Sequence, residues 1–219
     1  AVQGEDTKDG PPALKKDSLC NAAIISSLAS LGKAEISVYK LPKVAFFTTG
    51  DEIKAINEEI SASQIRNSNE WLIKSLLKTW HIKPSIYEHV IDHPAKLEES
   101  IRKTLDYDIL ILCGGVSAGD ADYVPATMEK LGVTKLFHKV SIKPGKPIWC
   151  GQMNTGGMVF ALPGNPFSCL VTFKLFVETY LRHCLGLNNS ALISIPFSGN
   201  RIKKSSLDEF FPVVISGNP

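Results

Sequence analysis

The chain has 219 residues, enough for one large domain or one medium domain with attachments, and its 44% hydrophobic content matches a globular protein with a packed core. A net charge of +2 argues against nucleic acid or a membrane surface as partner, and no stretch approaches the ~18 apolar residues of a membrane span. Five cysteines (Cys20, Cys113, Cys150, Cys169 and Cys184) lie far apart without a C-x-x-C pair, which excludes the common zinc and thiol-redox motifs and fits a reducing, cytoplasmic compartment.

Residues 1–17 are polar and broken by Gly10-Pro11-Pro12, as in a linker, and carry no signal-peptide pattern. Ser18 is placed to cap a helix running to about Ser30, which Gly32 ends. Ile36, Val38 and Tyr39 predict a short strand before Pro42. Residues 1–42 are thus read as a linker or the end of something else, followed by a helix. Residues 43–187 are read as the main domain, and residues 188–219 as part of a C-terminal β domain.

From Lys43 the pattern alternates. Val44–Phe47 predicts a buried strand followed by the loop Thr48–Glu52, and Asn67–Trp80 an amphipathic helix capped by Asn67 or Ser68. Ser85–Val90 predicts a strand, and Asp92-His93-Pro94 opens a helix with proline at its start. Ile109–Cys113 is a continuous apolar run, expected for a strand buried on both faces, with Cys113 a buried free thiol like Cys169. Val124–Leu131 predicts a helix. Phe137–Ile142, Ile148–Cys150 and Met158–Ala161 predict strands, and Ser168 to Leu185 a long closing helix. Alternation with short turns implies an α/β fold with a mostly parallel, doubly wound sheet, followed by the start of a small C-terminal β domain.

Four loops carry the polar chemistry. Gly50-Asp51-Glu52 offers two carboxylates. The loop from Gly114 and Gly115 through Ser117 and Gly119 to Asp120 and Asp122 offers backbone N–H groups, a hydroxyl and two more carboxylates. Lys143-Pro144-Gly145-Lys146-Pro147 holds two ammonium groups between stiffening prolines. Pro163-Gly164-Asn165-Pro166, with Ser168 beyond it, places backbone N–H groups at a helix start. In an open α/β sheet such loops gather at the carboxyl ends of the strands, where ligands bind. Taken singly, each has a plainer reading as helix-terminal acids, solvated lysines or turn punctuation. Taken together, carboxylates beside lysines and helix N-termini suit a phosphate-bearing anion with a hard divalent cation. Ser117 has no visible base, and no cysteine–histidine pair is set for acyl transfer. His81, His89, His93 and His138 are scattered and read as structural or surface residues.

At Thr49-Gly-Asp-Glu52, Gly114-Gly-Val-Ser-Ala-Gly-Asp-Ala-Asp-Tyr123, Lys143-Pro-Gly-Lys-Pro147 and Leu162-Pro-Gly-Asn-Pro166 the chain resembles the molybdopterin molybdenumtransferase (MoeA) family, related to the gephyrin E domain. The order and spacing match over about residues 43–186. The resemblance implies a molybdopterin-binding-like fold and a Mg2+-dependent transferase of molybdenum cofactor biosynthesis. Such an enzyme inserts molybdate into adenylylated molybdopterin with release of AMP. It implies catalytic roles for Glu52, Asp92 and Asp122, with Glu52 and Asp122 as Mg2+ ligands. Substrate contacts are implied for Asp51, Gly114, Gly115, Ser117, Gly119, Asp120, Lys143, Gly145, Lys146, Pro163, Gly164, Asn165 and Ser168. It further implies a homodimer and contact with the adenylyltransferase of the preceding step. Three departures stand out: the loop reads Ser117-Ala118-Gly119 where the family has Ser-Val-Gly or Ser-Met-Gly, Arg66-Asn67-Ser68-Asn69 replaces Tyr-Asp-Ser-Asn, removing an acid, and residues 1–42 read against the family as the return from an N-terminal region missing here. Two rival readings share parts of this pattern: the adenylyltransferase of the preceding step, and a non-enzymatic gephyrin-like scaffold.

Overall fold

A six-stranded sheet forms around three central segments, Val44–Thr49, Ile109–Cys113 and Met158–Leu162, whose buried side chains need both faces covered. The computed structural model describes residues 10, 12–116, 123–187 and 193–215. Before the sheet, α1 (Ala22–Ser30) is capped by Asn21, whose side chain accepts from the Ile24 N–H, rather than by Ser18. The expected strand around Ile36–Tyr39 does not form. Ile36, Val38 and Tyr39 are exposed, and among the described residues they pair with no strand.

The main unit begins with β1 (Val44–Thr49), buried along its whole length. A small parallel pair, β2 (Ile53–Lys54) and β3 (Ile65–Arg66), then leads to α2 (Ser68–Lys78). Next come β4 (Ile86–Val90), α3 (Pro94–Arg102), β5 (Ile109–Cys113) and α4 (Tyr123–Lys130). They are followed by β6 (Thr134–His138), β7 (Ile142–Lys143), β8 (Trp149–Gln152) and β9 (Met158–Leu162). The chain closes with α5 (Pro166–Thr172), a π-helical turn at Phe173–Val177, and α6 (Glu178–Cys184). The single long helix expected here is thus divided by that π turn.

Strand order is β4-β1-β5-β9-β8-β6. β4, β1, β5 and β9 run parallel, while β8 is antiparallel to both β9 and β6. The strand expected at Phe137–Ile142 instead starts at Thr134 and ends at His138. Its pairing with β8 sets those limits, and Ile142–Lys143 pairs separately with β10 (Asp208–Glu209).

Two cores sandwich the sheet. On one face Val44, Phe46, Ile109 and Ile111 pack under Ile73 and Leu77 of α2 and Cys169, Phe173 and Leu181 of the closing helix. On the other, Ala45, Phe47, Leu110 and Leu112 pack under Leu97 and Ile101 of α3 and Val124 and Met128 of α4. Alternate residues of β1 and β5 thus feed opposite faces, as the period of two requires. The chain leaves β1 toward β4 through α2 and returns across it to β5 through α3, so the strand order reverses between β1 and β5. That reversal opens a crevice at the strands' carboxyl ends.

Candidate functional site

Three loops meet at this crevice. β1 ends at Thr49, β5 at Cys113 and β9 at Leu162. Gly114 donates its N–H to the Leu162 carbonyl at 3.1 Å. Gly114 has φ +101°, and a Cβ there would stand 2.7 Å from both the carbonyl and the hydroxyl oxygen of Thr49. A Cβ on Gly164 would lie 3.8 Å from the Gly114 Cα. The loops after β1, β5 and β9 therefore touch backbone to backbone. Gly114, Gly115, Pro163 and Gly164 are brought together as expected, while Ser117, Gly119, Asp120 and Asp122 lie outside the described residues.

The acidic loop follows Thr49. Gly50 has φ +137°, and the Glu52 carboxylate folds back so closely that a Cβ on Gly50 would meet its Oε2 at 2.8 Å. Asp51 Oδ1 accepts the Asp92 N–H at 3.0 Å, tying this loop to the start of α3. Burial first, then the charges of Asp51 and Glu52, hold the Asp92 carboxyl above its ordinary pKa, with His89 opposing the shift. Three carboxylates from two loops thus share one electrostatic neighbourhood. Among the described residues, no group of three His, Cys, Asp or Glu side chains converges closely enough to hold a metal ion by itself.

Beneath the loop runs a polar network. Asn67 caps α2 through its Oδ1, which accepts the Glu70 N–H at 3.1 Å. Its Nδ2 donates to Thr48 Oγ1 at 2.9 Å and to the Tyr87 hydroxyl at 3.1 Å. Thr48 also meets His89 Nδ1 at 3.0 Å, because β1 and β4 pair Thr48 with His89 in register. Burial raises the Tyr87 hydroxyl far above its ordinary pKa, and the Lys74 ammonium lies 3.7 Å from the ring centroid. The sequence reading places Thr48 in the loop after the strand, takes His89 as structural or surface and gives Tyr87 no role; the strand in fact runs to Thr49. Only the register of two strands far apart in sequence joins them.

The loop after β9 behaves differently from a free anion site. Asn165 caps α5, accepting from Phe167 N at 3.1 Å and Ser168 N at 3.2 Å, so two of the N–H groups expected to be free there already have a partner. Asn69, in the first turn of α2, donates from Nδ2 to the Gly164 carbonyl at 2.7 Å.

The lysine loop enters from the same edge of the sheet, because β8 runs antiparallel and starts beside the end of β9. Gly145 has φ +107° and packs so close to Thr172 of α5 that a Cβ would meet Thr172 Cγ2 at 2.7 Å. Lys143 and Lys146 are both exposed. The Lys143 carbonyl accepts the Phe210 N–H at 2.8 Å, so β10 holds the loop's entry. The Ser205 hydroxyl bond keeps the Glu209 carboxyl below its ordinary pKa, with the charges of Arg201 and Lys143 adding to the effect.

Glycine loops at the switch point, acids on one flank and lysines on the other agree with what the chain matches in known proteins. Residues 45–183 match the family described as "Probable molybdopterin binding domain". The chain is 35% identical over 187 residues to a molybdopterin molybdenumtransferase of Staphylococcus aureus, covering 85% of this chain and 44% of that protein. It is 34% identical over 187 residues to the Staphylococcus epidermidis protein of the same name, with the same coverage. Among solved structures it resembles the molybdopterin biosynthesis MoeA protein of Pyrococcus horikoshii, with a TM-score of 0.69 and 30% identity over 79% of this chain and 43% of that one. The chain spans less than half the length of these curated relatives. With a matching family model over most of its length and the corresponding loops gathered at one crevice, the chain belongs to the molybdopterin-binding domain family.

Proposed function

We propose that this chain forms the central part of a molybdopterin molybdenumtransferase, which inserts molybdenum from molybdate into adenylylated molybdopterin and releases AMP. The observation that carries the reading is the meeting of Thr49, Gly114 and Gly164 backbones at the switch point, flanked by Asp51, Glu52 and Asp92. Bare glycine backbone permits close approach of a phosphate ester. The likeness to molybdopterin molybdenumtransferases supports the substrate class.

In this reading Lys143 and Lys146 hold the molybdate or phosphate oxyanion through charge-assisted hydrogen bonds. Asp51 fixes the start of α3 and so the position of Asp92. Asp92 binds its proton more tightly than an ordinary carboxyl, which suits proton transfer beside the pyrophosphate. The residues fit a Mg2+ ion, whose preference for one or two carboxylates plus water and phosphate matches this acid-rich loop pair. Glu52 and Asp122 would hold it. Bound there, it would supply charge neutralisation at the pyrophosphate. Gly115, Ser117, Gly119, Asp120, Gly145, Pro163, Asn165 and Ser168 are proposed to line the ligand. Assembly as a homodimer, contact with the adenylyltransferase of the preceding step and a cytoplasmic location complete the proposal. They rest on the family resemblance.

The test is molybdate-dependent AMP release from adenylylated molybdopterin by the full-length chain with Mg2+. Release is expected, and its loss by at least about a hundredfold in Glu52→Gln is expected from removing one charged group from the reacting centre. Adenylylation of molybdopterin from ATP, without AMP release, would move the protein to the preceding step. Full activity in Glu52→Gln would remove that residue from the site.

A further inference from the structure

The buried stripe of α2 is Asn69, Ile73 and Leu77, spaced by four. Its first position carries a primary amide where an apolar side chain would serve the core better. Asn69 is 9% exposed, and among the described residues its Oδ1 is buried with no hydrogen-bond partner. Burying an amide with one end unpaired opposes folding. The other end is well used: Nδ2 donates to the Gly164 carbonyl at 2.7 Å across 95 positions of sequence. Gly164 in turn faces Gly114, which rests on Thr49. Asn69, Gly164, Gly114 and Thr49 are thus successive neighbours along the crevice floor from α2 to β1, with the Asn69 bond at one end and the Gly114 N–H bonded to the Leu162 carbonyl between the loops.

We propose that Asn69 is a positioning residue for the ligand crevice, holding the Gly164 carbonyl and so setting the separation of the glycine loops after β9 and β5. The proposal rests on the reading that this crevice takes adenylylated molybdopterin. Asn69 touches no reacting atom. It acts through Gly164, whose own missing side chain leaves the crevice floor open. The unpaired Oδ1 follows directly, since an amide is needed for its donor end and brings its acceptor with it.

Asn69→Leu removes both the donor and the orphaned acceptor. Asn69→Asp keeps the shape but, as a carboxylate, cannot donate. In the full-length protein, both should weaken equilibrium binding of adenylylated molybdopterin about tenfold, the value of one well-made hydrogen bond. Asn69→Leu should leave the unfolding midpoint close to that of the unaltered protein. Hydrogen exchange at the Gly114 amide, bonded to the Leu162 carbonyl, and at the Phe167 and Ser168 amides, bonded to Asn165, should accelerate in both variants, a readout that needs no ligand. Unchanged exchange there would overturn the proposal, as would a binding loss in Asn69→Leu fully accounted for by unfolding. If the unaltered protein binds no adenylylated molybdopterin while the exchange result holds, the functional reading fails and the positioning role stands.

Discussion

Thr49 and Gly114 meet where the sheet changes winding direction, and the contact leaves no room for a side chain: a Cβ on Gly114 would stand 2.7 Å from the Thr49 carbonyl oxygen. Gly114→Ala combines that clash with a backbone at φ +101°. Gly156, at φ +92°, has nothing within 4 Å of an added Cβ and isolates the backbone cost. Gly156→Ala should cost about 1–2 kcal/mol, and Gly114→Ala a further 1–3 kcal/mol or so from overpacking. Denaturant unfolding of both variants checks this, and equal losses would mean that the Thr49 contact gives way freely.

The Asn67 network predicts a graded series. Asn67→Ala loses the cap on Glu70 and the donor shared by Thr48 and Tyr87, for a loss of about 1–3 kcal/mol. Asn67→Asp keeps an acceptor for the cap but loses the donor, so its unfolding midpoint should fall between those of the alanine variant and the unaltered protein.

Asp92 gives a signed pH dependence. Its folded pKa lies above its ordinary value, chiefly through burial and then through Asp51 and Glu52. The folded state therefore binds its proton more tightly than the unfolded chain. Its contribution favours folding most at low pH and is lost as pH rises through the raised value. Asp92→Asn should be more stable than the unaltered protein at neutral pH, with the difference shrinking toward pH 4. Thermal unfolding across that range measures it, and a gap that widens on acidification would reverse the assignment.

Thiol reactivity should divide by burial. Burial pushes the Cys150 thiol up to about 12 and raises Cys113, which lies 3.4 Å from Cys169 Sγ to Sγ, well above its ordinary value. Cys20 is exposed. Alkylation at neutral pH followed by peptide mass spectrometry should mark Cys20 first and leave Cys113, Cys150 and Cys169 unmodified until denaturant is added. Early labelling of Cys113 would show that the β5 end opens in the native state.

Much of this protein was legible in its chain. The apolar runs at Val44–Phe47 and Ile109–Cys113, with helical periods between them, determine strands buried on both faces and hence a parallel, doubly wound sheet. Both the burial and the parallel pairing are found. Asn67 and Pro94 mark helix starts because capping and proline geometry are local effects, decided within one turn. The loaded loops were legible for the same reason, since glycine, acid and lysine at turns are short-range signals. Tertiary structure alone decided the antiparallel turn at β8, the loss of the strand at Ile36–Tyr39 and the meeting of Thr48 with His89. Each depends on which edge a segment finds to pair with. The same holds for Asn69. Its identity reads as an ordinary helix residue, and its bond to Gly164 exists only because two distant segments cover one face of the sheet.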